Sequence, residues 1–262
     1  MYEPKMKLTK EQKEILNGRD GPTKAKMMEV LVRYGDMFDA DRLVPLTYKK
    51  GHFVTSFGIS MLKPVYPLMD ELINAKLKID ASFTMDPRPL DYENVSCGPI
   101  EKFVFSKIMY GMQNHYEDQL KKIGLRDKTG FTCTCYLKEV GNTPKKGDII
   151  SWSESSAVVF ANSVLGARCN RNSGILDTFG TILGLAPNFG FLTDEGRKAT
   201  WKIIVKTTKK PEAQILGSAI GMKVMQEVPY VYGLDKYLKD LPDEDTIAYL
   251  KDFGAATASN GA

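Results

Sequence analysis

The sequence has no long hydrophobic run and few residues of the types that bind metals. No stretch of about 18 apolar residues occurs, so it predicts no transmembrane helix and no membrane partner. The first residues, 1–5, lead into a charged helix rather than an apolar segment, and this predicts no signal peptide. The chain has only four cysteines and two histidines. Without a secretory signal, such thiols are expected to stay reduced, and we expect a cytoplasmic protein.

The sequence also lacks a strong excess of charge of one sign. It has 36 lysines and arginines against 32 aspartates and glutamates, a formal net charge of +4. The lysine pairs are scattered rather than gathered into a dense basic stripe, so no nucleic-acid partner is expected. No glycine-rich dinucleotide motif, phosphate-binding loop or nucleophile elbow is present.

Strand-like and helix-like patterns alternate along the 262 residues, of which 43% are hydrophobic. Helices are predicted over residues 23–34, 68–75, 101–122 and 176–185, and strands over residues 43–47, 77–84, 131–137 and 201–207. This alternation predicts the α/β class. His115 falls on the charged helix 101–122 and is expected at the surface. His52 falls in a predicted loop, residues 48–58, among hydroxyls and glycines, where a histidine is a candidate for acid–base catalysis.

The segment 152–171 has the pattern of a buried helix with a polar first turn. Ser153 is the predicted N-cap, the body is small and apolar, and Gly166 is the predicted end. The free backbone N–H groups and hydroxyls of the first turn suit an anion, and two arginines follow the helix. The alternative is a core helix whose arginines form ordinary ion pairs. The candidate substrate-binding residues are Ser155, Ser156, Asn162, Arg168 and Arg171.

Cys133 and Cys135 lie two positions apart on a predicted strand, which would place both thiols on one face. A tetrahedral zinc site needs four ligands, and an iron–sulfur cluster needs three or four thiolates. Cys97, Cys169 and the two histidines stand at no recognised ligand spacing. A metal site formed by distant residues and a pair of buried free thiols both remain open at this point.

Several segments together resemble the aconitase X family. They are residues 132–136 (Thr-Cys-Thr-Cys-Tyr), 141–148, 152–171, 187–190 with 194–198, and 216–221. The resemblance covers essentially the whole chain, 1–262, as one catalytic-type region that lacks its C-terminal part. It implies an aconitase-like fold of α/β/α layers. It also implies a hydro-lyase that eliminates water from a small anionic hydroxy acid such as 5-phosphomevalonate or cis-3-hydroxyproline.

The resemblance further implies a metal centre and a partner. The centre would be an iron–sulfur cluster or a mononuclear iron that acts as a Lewis acid and is held by three cysteines. The family's Thr-Cys-Thr-Pro-Tyr motif aligns with residues 132–136, which makes Cys133 one ligand and puts Cys135 at the proline position. The remaining cysteine ligands are expected outside this chain. A small swivelling-domain subunit would complete the site and supply a catalytic serine.

His52 loosely matches the histidine-containing loop of the family and is the candidate catalytic residue of this chain. The alternative function is a non-catalytic binding or scaffold subunit that keeps the fold and has lost the metal centre. Iron and sulfide content would distinguish the enzyme from the scaffold.

Overall fold

Helices and short strands alternate along the chain in the computed structural model, which describes residues 2–54, 62–90, 95–127 and 130–261. The helices are α1 (Lys10–Leu16), α2 (Pro22–Met37), α3 (Val65–Asn74), α4 (Pro99–Phe103), α5 (Gln113–Lys122), α6 (Ser155–Phe160), α7 (Gly174–Leu183), α8 (Ala213–Val224), α9 (Asp235–Leu238) and α10 (Asp243–Asn260). The strands are β1 (Leu43–Pro45), β2 (Gly51–Phe53), β3 (Phe83–Met85), β4 (Leu185–Pro187), β5 (Trp201–Ile204) and β6 (Pro229–Tyr232). Short π-helical turns continue α4 (Val104–Met109) and α6 (Ala161–Leu165).

A parallel array of strands with β2 at its centre organises the molecule. β2 pairs with β3 on one side, and on the other side His52 makes a parallel bridge with Trp152. Residues 149–152 are called the Trp152 segment. Phe83 bridges to Leu125 and Met85 to Phe131 on the β3 side. On the opposite side, Ile149 bridges to Arg168, and residues 167–170 are called the Arg168 segment. Because all these segments run in one direction, their carboxyl ends meet at one edge, which we call the carboxyl edge.

Helices cover both faces of this array. Phe53 and Phe83 point into a core formed with α3, α5 and α7. Ile150 and Trp152 point the other way, into a second core built on α6 and bordered by α10. His52 lies on that second face, with its ring 5.6 Å from the ring of Trp152. The predicted α/β/α layers are therefore confirmed.

The strand segment at Ser151 is tied to α7 through a buried carboxyl group. Ser151 Oγ donates to Asp177 Oδ1 at 2.6 Å, and Asn172 Nδ2 donates to the same oxygen at 3.0 Å. Asp177 Oδ2 is buried and has no hydrogen-bond partner among the described residues. Burial raises the pKa of Asp177 to about 7, although both hydrogen bonds act in the opposite direction.

Residues 200–261 add a further layer in which β5 and β6 pair in parallel and α8 packs closely on α10. Two glycines of α8 permit this approach, since a Cβ at Gly217 would lie 2.4 Å from the carbonyl oxygen of Phe253. α10 also packs against α6, where Gly254 faces Val159. Through α10, this layer contacts the helix that follows the Trp152 segment.

The predicted helix over 101–122 and the predicted strand over 131–137 both differ from the structure. The helix predicted over 101–122 is divided, because its π-helical part ends at Met109 and α5 begins only at Gln113. Gly111, a poor helix former, lies in the gap. The strand predicted over 131–137 is a series of turns after the bridge at Phe131, and Thr134 N donates to Thr132 Oγ1 at 3.1 Å. Such local side-chain bonds compete with strand pairing.

Candidate active site

His52 lies in the middle of β2, so its assignment to a loop is wrong. Its side chain is fully buried, and Nδ1 lies 2.9 Å from Thr84 Oγ1 on the neighbouring strand. Thr84 Oγ1 also accepts a hydrogen bond from Asn142 Nδ2 at 2.9 Å. Burial lowers the pKa of His52 to about 4, against the opposing effect of the charge of Glu154. The ring is therefore neutral near pH 7, and its Nε2 has no hydrogen-bond partner in the described part of the chain.

Asp86 follows β3 directly, and its carboxyl group points toward the ring of His52. Asp86 Oδ1 lies 3.9 Å from His52 Nε2. This oxygen is buried and has no hydrogen-bond partner among residues that the structure describes. Burial raises the pKa of Asp86 to about 7, and the charge of Glu154 adds to that increase. The group therefore changes its protonation state close to neutral pH.

Glu154 follows the Trp152 segment and forms the N-cap of α6 with its own side chain. Its carboxylate accepts hydrogen bonds from the backbone N–H groups of Ser156 at 2.9 Å and Ala157 at 2.6 Å. The hydroxyls of Ser155 and Ser156 donate to the same carboxylate at 3.3 and 2.7 Å. The prediction of Ser153 as N-cap is therefore wrong by one residue. The candidate anion site at this helix start already holds a carboxylate of the chain.

His52, Asp86 and Glu154 come together at the carboxyl edge, and we call them the His–Asp–Glu cluster. One nitrogen or oxygen atom from each lies within 4.8 Å of the other two. In parallel α/β sheets, ligands bind beyond the carboxyl ends of the strands, and Asp86 and Glu154 lie there beside the buried ring of His52 in β2. Three polar groups held so closely can transfer a proton or coordinate one cation.

The cysteines lie in different surroundings. Cys135 is buried beside the cluster, and burial together with the charge of Glu154 raises the pKa of its thiol. Cys133 is half-buried at the same edge, just beyond the backbone bond from Thr132 N to Met85 O. Cys169 is buried inside the array, where its Sγ donates to the carbonyl oxygen of Trp152 at 3.4 Å. Residues 132–137 form turns and not a strand, so the prediction that a strand places the thiols of Cys133 and Cys135 on one face is wrong.

The thiols and the nitrogen and oxygen atoms of this region can be compared with the ligands that iron requires. An iron–sulfur cluster needs three or four thiolates, and no three thiols converge in the part of the chain that the structure describes. Nitrogen and oxygen donors such as those of the His–Asp–Glu cluster suit a single iron ion. The unpartnered, buried His52 Nε2 and Asp86 Oδ1 fit that role. A cluster would fit only with thiolates that the described residues do not provide.

The other predicted substrate-binding residues are held by structural contacts, except for one. Asn162 Nδ2 donates to the carbonyl oxygens of Val158 and Cys169, and its Oδ1 accepts from Arg197 at 2.7 Å. Arg168 donates to the carbonyl oxygen of Leu192 at 2.8 Å and pairs with Asp194. These contacts match the alternative of ordinary structural pairing for Arg168.

Arg171 is exposed and has no ion pair or hydrogen bond with any residue that the structure describes. It follows the Arg168 segment and so lies at the carboxyl edge, two strand positions from β2. It lines a cavity of about 280 Å³ whose walls include Phe38 and Phe189, with ring centroids 4.8 Å apart. The guanidinium is therefore available to an anion that enters from this side.

Sequence reasoning missed Asp86 and assigned no site role to Glu154. A usable signal was present for both, because each follows a strand segment that pairs with β2. Acidic residues at the carboxyl ends of neighbouring parallel strands are expected to meet. The predicted surface position of His115 is confirmed, since its side chain is exposed on α5.

None of the helices in the described ranges combines the length and the apolar character needed to cross a bilayer.

The family description "Aconitase X first domain" matches residues 5–195 of this chain. The phosphomevalonate dehydratase large subunit of Thermococcus kodakarensis is 35% identical over 98% of the chain, and that of Methanocaldococcus jannaschii is 32% identical over 98%. The cis-3-hydroxy-L-proline dehydratase of Hypocrea jecorina is 34% identical over 49% of the chain.

The crystal structure of Thermococcus kodakaraensis aconitase X (holo-form) superposes with a TM-score of 0.76 at 35% identity and covers 98% of the chain. The chain spans 60% of that structure. It also spans 60% of the Thermococcus relative, 61% of the Methanocaldococcus relative and 21% of the Hypocrea relative.

Proposed function

Since the chain belongs to the aconitase X family, we propose that it is the catalytic-type component of an iron-dependent hydro-lyase. The enzyme would eliminate water from a small anionic hydroxy acid such as 5-phosphomevalonate or cis-3-hydroxyproline. The convergence of His52, Asp86 and Glu154 at the carboxyl edge carries the proposal. The relatives with these activities support the reaction class.

Elimination breaks a C–H bond and a C–O bond of the substrate. The proton from carbon would pass to the catalytic serine expected from the small subunit, and the leaving hydroxyl must take up a proton to depart as water. Asp86 is suited to donate that proton from its buried carboxyl group, since a pKa of about 7 keeps it partly protonated near neutral pH. The carboxylate of Glu154, fixed by the first turn of α6, favours the protonated form of Asp86. His52 stays neutral and positions the leaving oxygen with Nε2.

The negative group of the substrate would bind at Arg171, whose planar guanidinium can donate two parallel hydrogen bonds to a carboxylate or phosphate. Ser155, Ser156, Asn162 and Arg168 would shape the binding site through the contacts already described, which hold α6 and the Arg168 segment. Iron would act as a Lewis acid on the substrate. In this chain Cys133 would be one of its ligands, with the remaining cysteines supplied from outside the chain.

We further propose that a small swivelling-domain subunit completes the site, which agrees with the name "large subunit" of the archaeal relatives. The region 1–262 would form one catalytic-type region of this assembly. A cytoplasmic location is part of the proposal and is supported by the four free cysteines.

The test uses the full-length protein with its small-subunit partner, prepared without oxygen and supplied with iron. Mass spectrometry would follow loss of one water from each of the two hydroxy acids. Asp86→Asn is expected to lower kcat by about 10²–10⁴-fold, the usual contribution of a general acid. The matched control Asp118→Asn, exposed on α5, is expected to keep the wild-type rate. Equal rates for both variants would contradict the role of Asp86.

Arg171→Lys separates a bidentate anion contact from simple charge, because lysine cannot reproduce the planar fork. A loss of about 2–4 kcal/mol of transition-state binding, or roughly 30- to 1000-fold in kcat/KM, is expected. An unchanged kcat/KM would contradict this role.

Iron content distinguishes two ways of holding the metal. Cys133→Ser is expected to lose iron, whereas Asp86→Asn is expected to retain it. The opposite result would favour a single ion in the His–Asp–Glu cluster, whose unpartnered donors fit one. Persistent absence of iron and sulfide from the complete complex would favour the scaffold alternative. The intact mass of the native polypeptide, compared with 29.3 kDa for this chain, tests whether the missing ligands belong to the same polypeptide.

A further inference from the structure

Residues 99–109, formed by α4 and its π-helical continuation, expose a row of large apolar side chains. We call this segment the apolar arm. Ile100 is 79% exposed, Phe103 is 61% exposed and Ile108 is 59% exposed. No residue of the arm is buried. The spacing places Ile100, Phe103 and Ile108 near one face of the helix. The arm makes no extensive contact with another helix or strand in the described ranges.

The C-terminal end of the arm lies beside the carboxyl edge. The arm leads into α5, which runs back to Leu125, where the chain pairs with β3. The first half of α5 also contacts the chain beyond Asp86, since Arg88 Nε donates to Glu117 Oε1 at 2.8 Å. Because α5 runs opposite to the strands, it begins at the carboxyl edge. The arm is therefore held beside the edge that carries the His–Asp–Glu cluster.

A row of exposed large apolar side chains favours contact with another protein surface. Five archaeal relatives are large subunits by name, which implies a smaller subunit in each enzyme. Lys107 is exposed between the apolar side chains, so a matching surface would be apolar with a carboxylate at its rim. Because the C-terminal end of the arm leads into α5 beside the carboxyl edge, a protein docked on the arm would lie next to the edge that carries the cluster.

We propose that the apolar arm is the docking surface for the small subunit and that docking closes the active site at the carboxyl edge. The inference rests on the two-subunit assembly in the proposed function. It assigns that contact to Ile100, Phe103 and Ile108, with Lys107 at the rim. These side chains are exposed, so the chain is expected to stay folded when they are replaced.

The test measures binding of the purified small subunit to the full-length large subunit by isothermal titration calorimetry. Phe103→Asp and Ile108→Asp are each expected to weaken binding by about 30- to 1000-fold, as for buried anchors of an interface. Lys107→Glu is expected to weaken it less and to reduce its dependence on salt. Met37→Asp, at a side chain 77% exposed at the end of α2, is the matched control and is expected to bind as the wild type does. Circular dichroism would confirm that every variant is folded.

Hydrogen exchange of the wild-type proteins gives a second measurement that needs no variant. Residues 99–109 are expected to gain protection only when the small subunit is added. Protection in the full-length large subunit alone would overturn the inference, because another part of the same polypeptide would then cover the arm. Absence of wild-type binding, unchanged affinity of the arm variants, or arm-dependent flotation with phosphatidylglycerol vesicles would also overturn it.

The outcomes separate this inference from the proposed function. If the subunits bind through the arm but the iron-loaded complex removes no water from either hydroxy acid, the proposed function fails and the docking surface stands. If the complex is active and the arm variants still bind normally, the docking surface fails and the proposed function stands.

Discussion

The buried carboxyl group of Asp177 predicts that the chain loses stability as the pH rises toward neutrality. Its pKa is about 7 in the folded chain, compared with an ordinary value of 3.8. Below about pH 4 the group is protonated in both states and contributes no pH dependence. As the pH rises, the unfolded chain releases this proton first, whereas the folded chain holds it until about pH 7. The free energy of unfolding therefore falls while the pH rises from the lower pKa to the higher one, and this group changes it little at higher pH.

The magnitude follows from the difference between the two pKa values. A gap of about three units corresponds to about 4 kcal/mol, because one unit is worth about 1.4 kcal/mol. Of this gap of about three units, about two units fall between pH 5 and pH 8. Asp177→Asn removes the titration while its side-chain oxygen can still accept from Ser151 and Asn172. The free energy of unfolding of the wild type, relative to this variant, is expected to fall by roughly 2–3 kcal/mol over that range.

Urea unfolding of both proteins at several pH values, followed by circular dichroism, measures this difference. The comparison removes the titration of all other groups, which the two proteins share. Asp118→Asn, on the exposed face of α5, serves as the matched control. Its free energy of unfolding is expected to follow the wild-type pH dependence more closely than that of Asp177→Asn does. Parallel pH curves for the wild type and Asp177→Asn would refute the reasoning, because burial would then not hold a proton on this group.

Two further predictions concern packing, one at the candidate site and one between α8 and α10. Glu154→Ala removes the side-chain cap of α6 and is expected to lower the free energy of unfolding by about 2 kcal/mol, measured as a lower urea midpoint. Glu139→Ala, at an exposed position, is the control. Equal midpoints for the two variants would contradict the capping role of Glu154. Gly217→Leu places side-chain atoms against the carbonyl of Phe253 and is expected to lower the free energy of unfolding by about 1–3 kcal/mol, measured by thermal unfolding. Ile215→Leu, on the exposed side of α8, is the control and is expected to have little effect. A melting temperature of Gly217→Leu equal to that of the wild type would contradict the close packing of α8 on α10.

Local sequence patterns predicted much of the architecture. The apolar spacing of residues 23–34 agrees with α2, and the strand pattern of residues 201–207 agrees with β5. Gly166 ends the helical segment in a left-handed conformation, with a φ of 73°, as expected for a glycine after a helix. These features depend on residues close together in the chain, which is why they can be read from the sequence.

The candidate site depended on contacts that the sequence does not show. β2 is only three residues long and contains a histidine, so its pattern is that of a loop until β3 and the Trp152 segment pair with it. Asp86 stands before a proline and is indistinguishable from an ordinary turn residue. The role of Glu154 was also hidden, because a choice between neighbouring N-caps depends on where the preceding segment stops pairing.

The pairing of His52 with Trp152 has a consequence for synthesis of the chain. These partners are separated by 100 positions, so β2 acquires its second neighbour long after it has left the ribosome. At about 5–20 residues per second, roughly 5–20 s pass between translation of the two residues. During that interval one edge of β2 lacks its native partner, and such an edge can pair with another chain. Nascent chains that pause before residue 152 are therefore expected to need chaperones more than chains that have passed it.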